Sequence, residues 1–193
     1  MSTKDRNRTE SLLLEAARDV FSQHGFEGSS TRMIANAAGV NQSLISRYFG
    51  GKRGLLLALI QKEALNLSSI VTDYPEKPTL EEECEAYASS YFDYLMDNLV
   101  FIRILILQSM TDPVFLAGFK NLNFSAVNQD IRKRIVRFLQ EANRSDAESA
   151  ADNIIGGAER VALGTVSFQH LMAGQDYDEC LATVRNCVRD MLK

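Results

Sequence analysis

The sequence predicts an all-helical protein made of a small three-helix head carrying a helix-turn-helix, joined to a larger helical bundle. Three observations carry that expectation. First, the 193 residues are 46% hydrophobic with only three prolines and no tryptophan, and no stretch alternates polar and apolar residues as a half-buried strand does. Second, Thr31–Phe49 divides into two short striped segments about a glycine. Third, the charge is uneven. Asp and Glu outnumber Lys and Arg by 25 to 21 overall, yet residues 1–62 hold nine basic against five acidic side chains, and residues 63–193 hold twelve against twenty. A basic head on an acidic body is the charge balance expected of a small duplex-reading module.

The elements follow in order. Residues 1–8 are polar and expected to fray. Helix 1 is predicted over Thr9–Gln23, where Leu13, Ala17, Val20, Phe21 and His24 recur at helical spacing and Gly25 stops the run. Ser29 or Ser30 caps a second helix reaching Ala38. Gly39 must end it, since glycine alone enters the left-handed region at little steric cost. Val40 plugs the angle, Asn41 caps a third helix over Gln42–Phe49, and Gly50–Gly51 breaks the chain. A long fourth helix runs from Lys52 to about Val71.

The turn Asp73–Pro78 is the strongest module break, and Thr79-Leu-Glu-Glu82 is a capping box opening the next helix. Leu80, Cys84, Tyr87, Tyr91 and Leu95 form its buried stripe. Leu99–Met110 is apolar nearly all round and predicts a centrally buried helix. Asp112-Pro113 opens another helix, and Phe124–Ala142 reads as the next, with Val127, Ile131, Ile135, Phe138 and Leu139 on one side. Ser145-Asp-Ala-Glu148 is a second capping box. Its helix carries Ile154, Ala158, Val161, Thr165, Phe168 and Met172, and Gly174 stops it. The last helix shows Tyr177, Leu181, Val184, Val188 and Met191. Two successive heptad-like stripes predict knobs-into-holes packing.

Within Thr31–Phe49, Ile34, Ala35, Ala38, Ile45 and Phe49 face inward, which leaves Gln42, Ser43, Ser46, Arg47 and Tyr48 outside. A short helix with a small, polar, cationic outer face suits the major groove, where side chains meet base edges and phosphates.

At this point a resemblance becomes specific. Leu13-Leu14, Ala16-Ala17, Phe21, Gly25-Phe26, Ser29-Ser30, Ile34-Ala35, Ala38-Gly39-Val40, Ile45, Tyr48-Phe49, Lys52 and Leu55 closely resemble the TetR family of transcriptional regulators over about residues 9–60. The resemblance implies a helix-turn-helix DNA-binding domain over 1–52 and a helical ligand-binding and dimerisation domain over 53–193. It implies a homodimer that reads a palindromic operator in double-stranded DNA, most simply as a repressor released by a small-molecule effector. The implied DNA contacts are Ser30, Thr31, Arg32, Gln42, Ser43, Ser46, Arg47, Tyr48 and Lys52. Family members usually carry glycine at the position of Ser43 and a backbone-contacting tyrosine at that of Ser46. Arg47 and Tyr48 are the alternatives for that contact. The dimer interface is expected on the last two long helices, at Ile154, Ala158, Val161, Thr165, Phe168, Leu181, Val184 and Val188, with Gly156, Gly157 and Gly164 allowing close approach.

For the effector, the aromatic residues Tyr87, Tyr91, Phe92, Phe115, Phe119 and Phe168 are the candidates, each with ordinary core packing as the alternative. Arg103 interrupts an apolar run. It is either a counter-charge for an anionic ligand or an arginine that pairs with Asp97 or reaches outward. No cofactor and no metal site are expected. His24 and His170 lie in different modules, and Cys84, Cys180 and Cys187 show no ligand spacing with them. An odd cysteine count without CxxC points to reduced thiols in a cytoplasm, and no segment is long and apolar enough to predict a membrane span. A helical-bundle enzyme is disfavoured, because no nucleophile elbow, phosphate loop or paired carboxylates with a histidine are present. A DNA-binding regulator whose body senses nothing is the remaining alternative.

Overall fold

The computed structural model describes residues 3–122, 128–170 and 173–193. Among these, every regular element is helical: α1 (Thr3–His24), α2 (Thr31–Ala37), α3 (Ser43–Phe49), α4 (Lys52–Val71), α5 (Leu80–Asp97), α6 (Leu99–Thr111), α7 (Pro113–Lys120), α8 (Gln129–Glu141), α9 (Ala147–Gly164), a π-helical turn (Thr165–His170) and α10 (Tyr177–Met191). They form two compact units. The first is Met1–Leu65 with Leu99–Phe124, and the second is Asn66–Asn98 with Ser125–Lys193. The division therefore falls inside α4, and the first unit takes α6 and α7 from later in the chain.

The first unit owes its shape to one apolar cluster. Leu13, Ala17 and Phe21 of α1, Ile34 and Ala35 of α2, Ile45 of α3 and Leu55, Leu56 and Leu59 of α4 are all buried. Ile104 of α6 and Phe115 of α7 belong to the same cluster. Each fully buried Leu, Ile or Phe side chain contributes about 1.5–3 kcal/mol, so the two late helices are part of what holds α2 and α3 in place. Asp112 begins α7 as expected, accepting from the backbone N–H groups of Val114 (2.9 Å) and Phe115 (3.0 Å). These bonds and the Arg53 guanidinium at 2.6 Å hold its carboxyl below the usual carboxylate range.

In the second unit α5 packs against α8, α9 and α10. Its N-terminus is capped by Thr79, which accepts from Glu82 N–H at 3.2 Å. The fully buried Glu83 receives the Arg134 guanidinium (3.0 Å), the Tyr74 hydroxyl (3.1 Å) and the Lys77 backbone N–H (2.7 Å). Burial, then the Glu83 charge, pushes the Tyr74 hydroxyl well above its ordinary pKa.

Several expectations are corrected. α1 starts at Thr3 rather than Thr9, because Arg6 pairs with Glu10 one turn on and Thr9 Oγ1 donates to the Asp5 carbonyl. The Leu99–Met110 run is not centrally buried. Ile102, Ile104 and Gln108 are inside, whereas Leu107 is 54% and Met110 80% exposed. One face of α6 docks on the apolar cluster and the other remains outside. Phe92 replaces Tyr91 on the buried face of α5. The second capping box does not form: the cap of α9 is Asp146 rather than Ser145, Asp146 gives its carboxylate to Arg144, and Glu148 is engaged by Arg132. The α-helix after Ala147 ends at Gly164 and turns π-helical over Thr165–His170. Phe124 and Val127, the expected start of the α8 stripe, and Met172 lie outside the described residues. No single helix among those described is long and apolar enough to cross a membrane. α6 and α7 pass on length and composition only as a pair, bent by 113°.

Candidate nucleic-acid interface

α2 and α3 form a helix-turn-helix whose corners are set by three local devices. Ser30 accepts from the Met33 N–H at 3.2 Å, which fixes the start of α2. Gly39 adopts φ +66°, so Val40 N–H reaches back to the Ala35 carbonyl (3.0 Å) and Gly39 N–H to that of Asn36 (3.1 Å), a helix end that a side chain at residue 39 would strain. Asn41 Oδ1 accepts from both the backbone N–H (2.9 Å) and the hydroxyl (2.7 Å) of Ser43, which starts α3. Ile34, Ala35 and Ile45 then pull both helices onto α1 and α4.

What remains outside corresponds to most of the residues singled out from sequence. Ser30, Arg32, Gln42, Ser43, Ser46 and Arg47 are exposed, and Thr31, Tyr48 and Lys52 are half-buried. Gln42 does not cap α3. Its amide Nε2 donates to Thr31 Oγ1 at 2.8 Å, which ties the start of α3 to the start of α2. The amide keeps an acceptor oxygen and a second N–H for another partner. Tyr48 packs edge-on against Phe49, with ring centroids 6.4 Å apart. It lies under the Arg6 guanidinium, which is 5.2 Å from its ring centre. Arg6 was not singled out from sequence. The signal was its Glu10 partner at i+4 within a stretch read as frayed.

The cations of this unit divide into two groups. Arg18 pairs with Glu63, Lys62 with Glu15 and Arg53 with Asp112. The Lys52 ammonium turns into the unit toward the carbonyls of Phe26 and Ser29. Arg32 and Arg47, on the outer face of α2 and α3, have no acidic partner among the described residues. Exposed guanidinia without an ion-pair partner among the described residues can donate to phosphate oxygens or guanine edges without first breaking an ion pair. A polar groove of about 640 Å³ lies in the same unit, lined by Phe26, Glu27, Gly50, Lys52, Arg53, Gln108, Thr111, Asp112 and Pro113.

The seven effector candidates are not brought together within either unit. Arg103, Phe115 and Phe119 belong to the first unit, and Tyr87, Tyr91, Phe92 and Phe168 to the second. Arg103 is exposed, as one of its two alternatives required, so it is not a buried counter-charge. Phe115 is core of the first unit and stacks on Phe119 at 6.3 Å. Tyr87 is fully buried, and its hydroxyl donates to Glu159 at 2.8 Å. Burial and then the Glu159 charge raise its pKa, and burial chiefly raises that of Tyr91. None of the seven lines the groove above, nor a second polar groove of about 340 Å³ that includes Tyr74, Glu85, Ser89 and Arg185.

The expected dimer stripe splits in two. Ala158, Thr165, Val184 and Val188 are buried inside the second unit, because α5 and the α9–α10 pair consume that face. They are not available to a partner. Ile154, Val161 and Leu181 are half-buried, and Phe168 is 68% exposed. Of the three glycines, Gly157 is closed off by the Met191 side chain and Gly164 faces open space. Cys84 is buried and its thiol is pushed up to about 12, first by burial and then by its acidic neighbours.

Comparison with known proteins agrees with this geometry. The family profile described as bacterial regulatory proteins, tetR family, matches residues 13–59. The HTH-type transcriptional repressor AcnR of Corynebacterium glutamicum is 30% identical over 128 residues, 65% of this chain and 63% of the relative, so the match spans a little under two thirds of that protein. The HTH-type transcriptional repressor SCO4008 of Streptomyces coelicolor is 28% identical over 110 residues, 57% of this chain and 54% of its own length. Among solved structures, the transcriptional regulator FadR of Bacillus subtilis, in complex with stearoyl-CoA, superposes with a TM-score of 0.64 at 21% identity, covering 94% of this chain and 96% of that one. The last likeness is one of fold. Residues 13–59 thus match the tetR-family profile, and the chain as a whole shares its all-helical fold with that solved structure.

Proposed function

We propose that the protein is a sequence-specific transcriptional regulator that binds a palindromic operator in duplex DNA as a homodimer, acts as a repressor and is released by a small molecule. The observation that carries this reading is the pair of uncommitted guanidinia, Arg32 and Arg47, on an exposed helix-turn-helix whose start points are braced by hydrogen bonds. The naming of two relatives as repressors supports the sense of regulation. Two heads fit successive major grooves only when their reading helices stand about 34–36 Å apart. An effector that prefers a body conformation with another spacing lowers operator affinity by its differential binding free energy. α4 is the natural lever, since its residues belong to both units.

Selection of bound sequences from a random duplex pool tests the reading directly and is expected to return an inverted repeat. On that operator, Arg47→Ala is expected to weaken binding about equally on all sequences and to flatten the slope of log affinity against log salt by about 0.9, the value of one phosphate. Gln42→Ala is expected to relax preference at one base pair, worth about 1–3 kcal/mol of discrimination. If both variants behave alike across operator variants, the division of labour fails.

For the dimer, Ile154, Val161 and Phe168 recur every seven residues on the less buried side of α9 and the π turn. Phe168→Asp is expected to raise the dimer dissociation constant by ~30-fold or more, the loss of a central aromatic anchor worth about 2 kcal/mol. Sedimentation equilibrium checks it, and an unchanged dimer would remove this face from the interface.

A further inference from the structure

We infer that Lys52 is a positioning residue of the DNA reader and not one of its phosphate contacts; the inference rests on the DNA-binding reading above. By sequence, Lys52 looks like a phosphate ligand, since a cation at the first turn of a helix adds to an N-terminus that already attracts anions. The geometry assigns the ammonium elsewhere. Its Nζ donates to the Phe26 carbonyl at 2.7 Å and the Ser29 carbonyl at 2.9 Å, and it stands 4.2 Å from the centre of the Phe26 ring. An ammonium has three protons. Two are spent on short charge-assisted bonds, and the aromatic face covers a further side of the charge.

Both carbonyls belong to the loop between α1 and α2, and the residue after Ser29 is the cap of α2. The loop is braced on its other side as well. Ser29 Oγ lies within bonding distance of the Gly25 (2.5 Å) and Val20 (3.2 Å) carbonyls at the end of α1. All of α2 and α3 runs between Ser29 and Lys52, so the two ends of the reading segment are pinned to each other through one ammonium. The Gln42–Thr31 bond carries the same constraint to the start of α3. Lys52 therefore fixes the height and tilt at which Arg32 and Gln42 meet a groove, and it couples that tilt to α4.

The test uses the full chain and its selected operator, with affinity measured across a salt series for the wild type, Lys52→Gln, Lys52→Arg and Arg47→Ala. Lys52→Gln is expected to lose about ten- to a hundredfold in affinity, the loss of two charged hydrogen bonds, with a salt slope equal to that of the wild type. Arg47→Ala is expected to lose about 0.9 of slope. Lys52→Arg keeps the charge but not the compact ammonium, and is expected to bind severalfold more weakly. Amide exchange in the DNA-free protein should speed up at Met33 and Ile34 in Lys52→Gln. That arm decides the structural point even if the wild type shows no duplex affinity, an outcome that would sink the DNA reading instead. A slope lowered by about 0.9 in Lys52→Gln, full affinity in Lys52→Arg, or unchanged exchange would each overturn the inference.

Discussion

Phe115→Ala is expected to destabilise the N-terminal unit by about 3–5 kcal/mol and to take duplex binding down with it. Phe115 lies more than sixty residues beyond the helix-turn-helix, and by sequence it is also an effector candidate. Its ring is fully buried in the same cluster as Phe21, Ile34, Ile45 and Leu55. Truncation removes the ring's transfer free energy and leaves a cavity beside α4, since Phe119, stacked 6.3 Å away, cannot fill the space without leaving its own contacts. A domain holds only about 5–15 kcal/mol in total, so the loss is a large share. Chemical denaturation followed by a probe in α1–α3 measures it. A variant with unchanged denaturation midpoint but altered effector response would return Phe115 to the ligand site and break this account of the unit.

The same residue marks where the sequence was legible and where it was not. Residues 9–60 were readable because every signal there is local: Ser30 caps three residues ahead, Gly39 sits where φ must be positive, and Ile34 and Ile45 repeat at helical spacing. The enrolment of α6 and α7 in the first unit was not readable. A periodic pattern says which face of a helix is apolar but not which unit it packs against, and α6 is apolar on nearly every face. The exposure of Leu107 and Met110 follows from that ambiguity.

The candidate site divides the same way. Exposure of Arg32, Gln42 and Arg47 follows from a helical wheel. The inward turn of Lys52 depends on two carbonyls more than twenty residues away, which no local pattern encodes. The heptad stripes misled for a related reason. A 4-3 spacing predicts a packed face, but α5 could claim it as well as a second chain could. The small residue Ala158 with Thr165, Val184 and Val188 went to the interior, leaving Ile154, Val161 and Phe168 for the outside.

Glu83→Ala is expected to be the most damaging single change in the second unit, at about 3–5 kcal/mol, because it strands a partly buried cation. Arg134 would keep the Thr72 carbonyl (3.2 Å), the Tyr74 carbonyl (3.4 Å) and the face of the Tyr74 ring (5.1 Å to its centre), but no counter-charge. The Lys77 N–H would lose its acceptor as well, and the Tyr74 hydroxyl would be left with the residue-83 backbone carbonyl at 3.4 Å. The Coulomb attraction itself is not what the wild type gains, since desolvating both charges offsets most of it. The penalty comes from leaving one charge behind. The paired replacement Glu83→Met with Arg134→Met should therefore recover most of the loss, as apolar substitutes for buried ion pairs often do. Urea denaturation of the three proteins measures this, with the slope m unchanged if the transition remains two-state. If the double variant is as unstable as Glu83→Ala, the carboxylate acts by ordering the Thr72–Lys77 turn through its hydrogen bonds and not through the charge it balances.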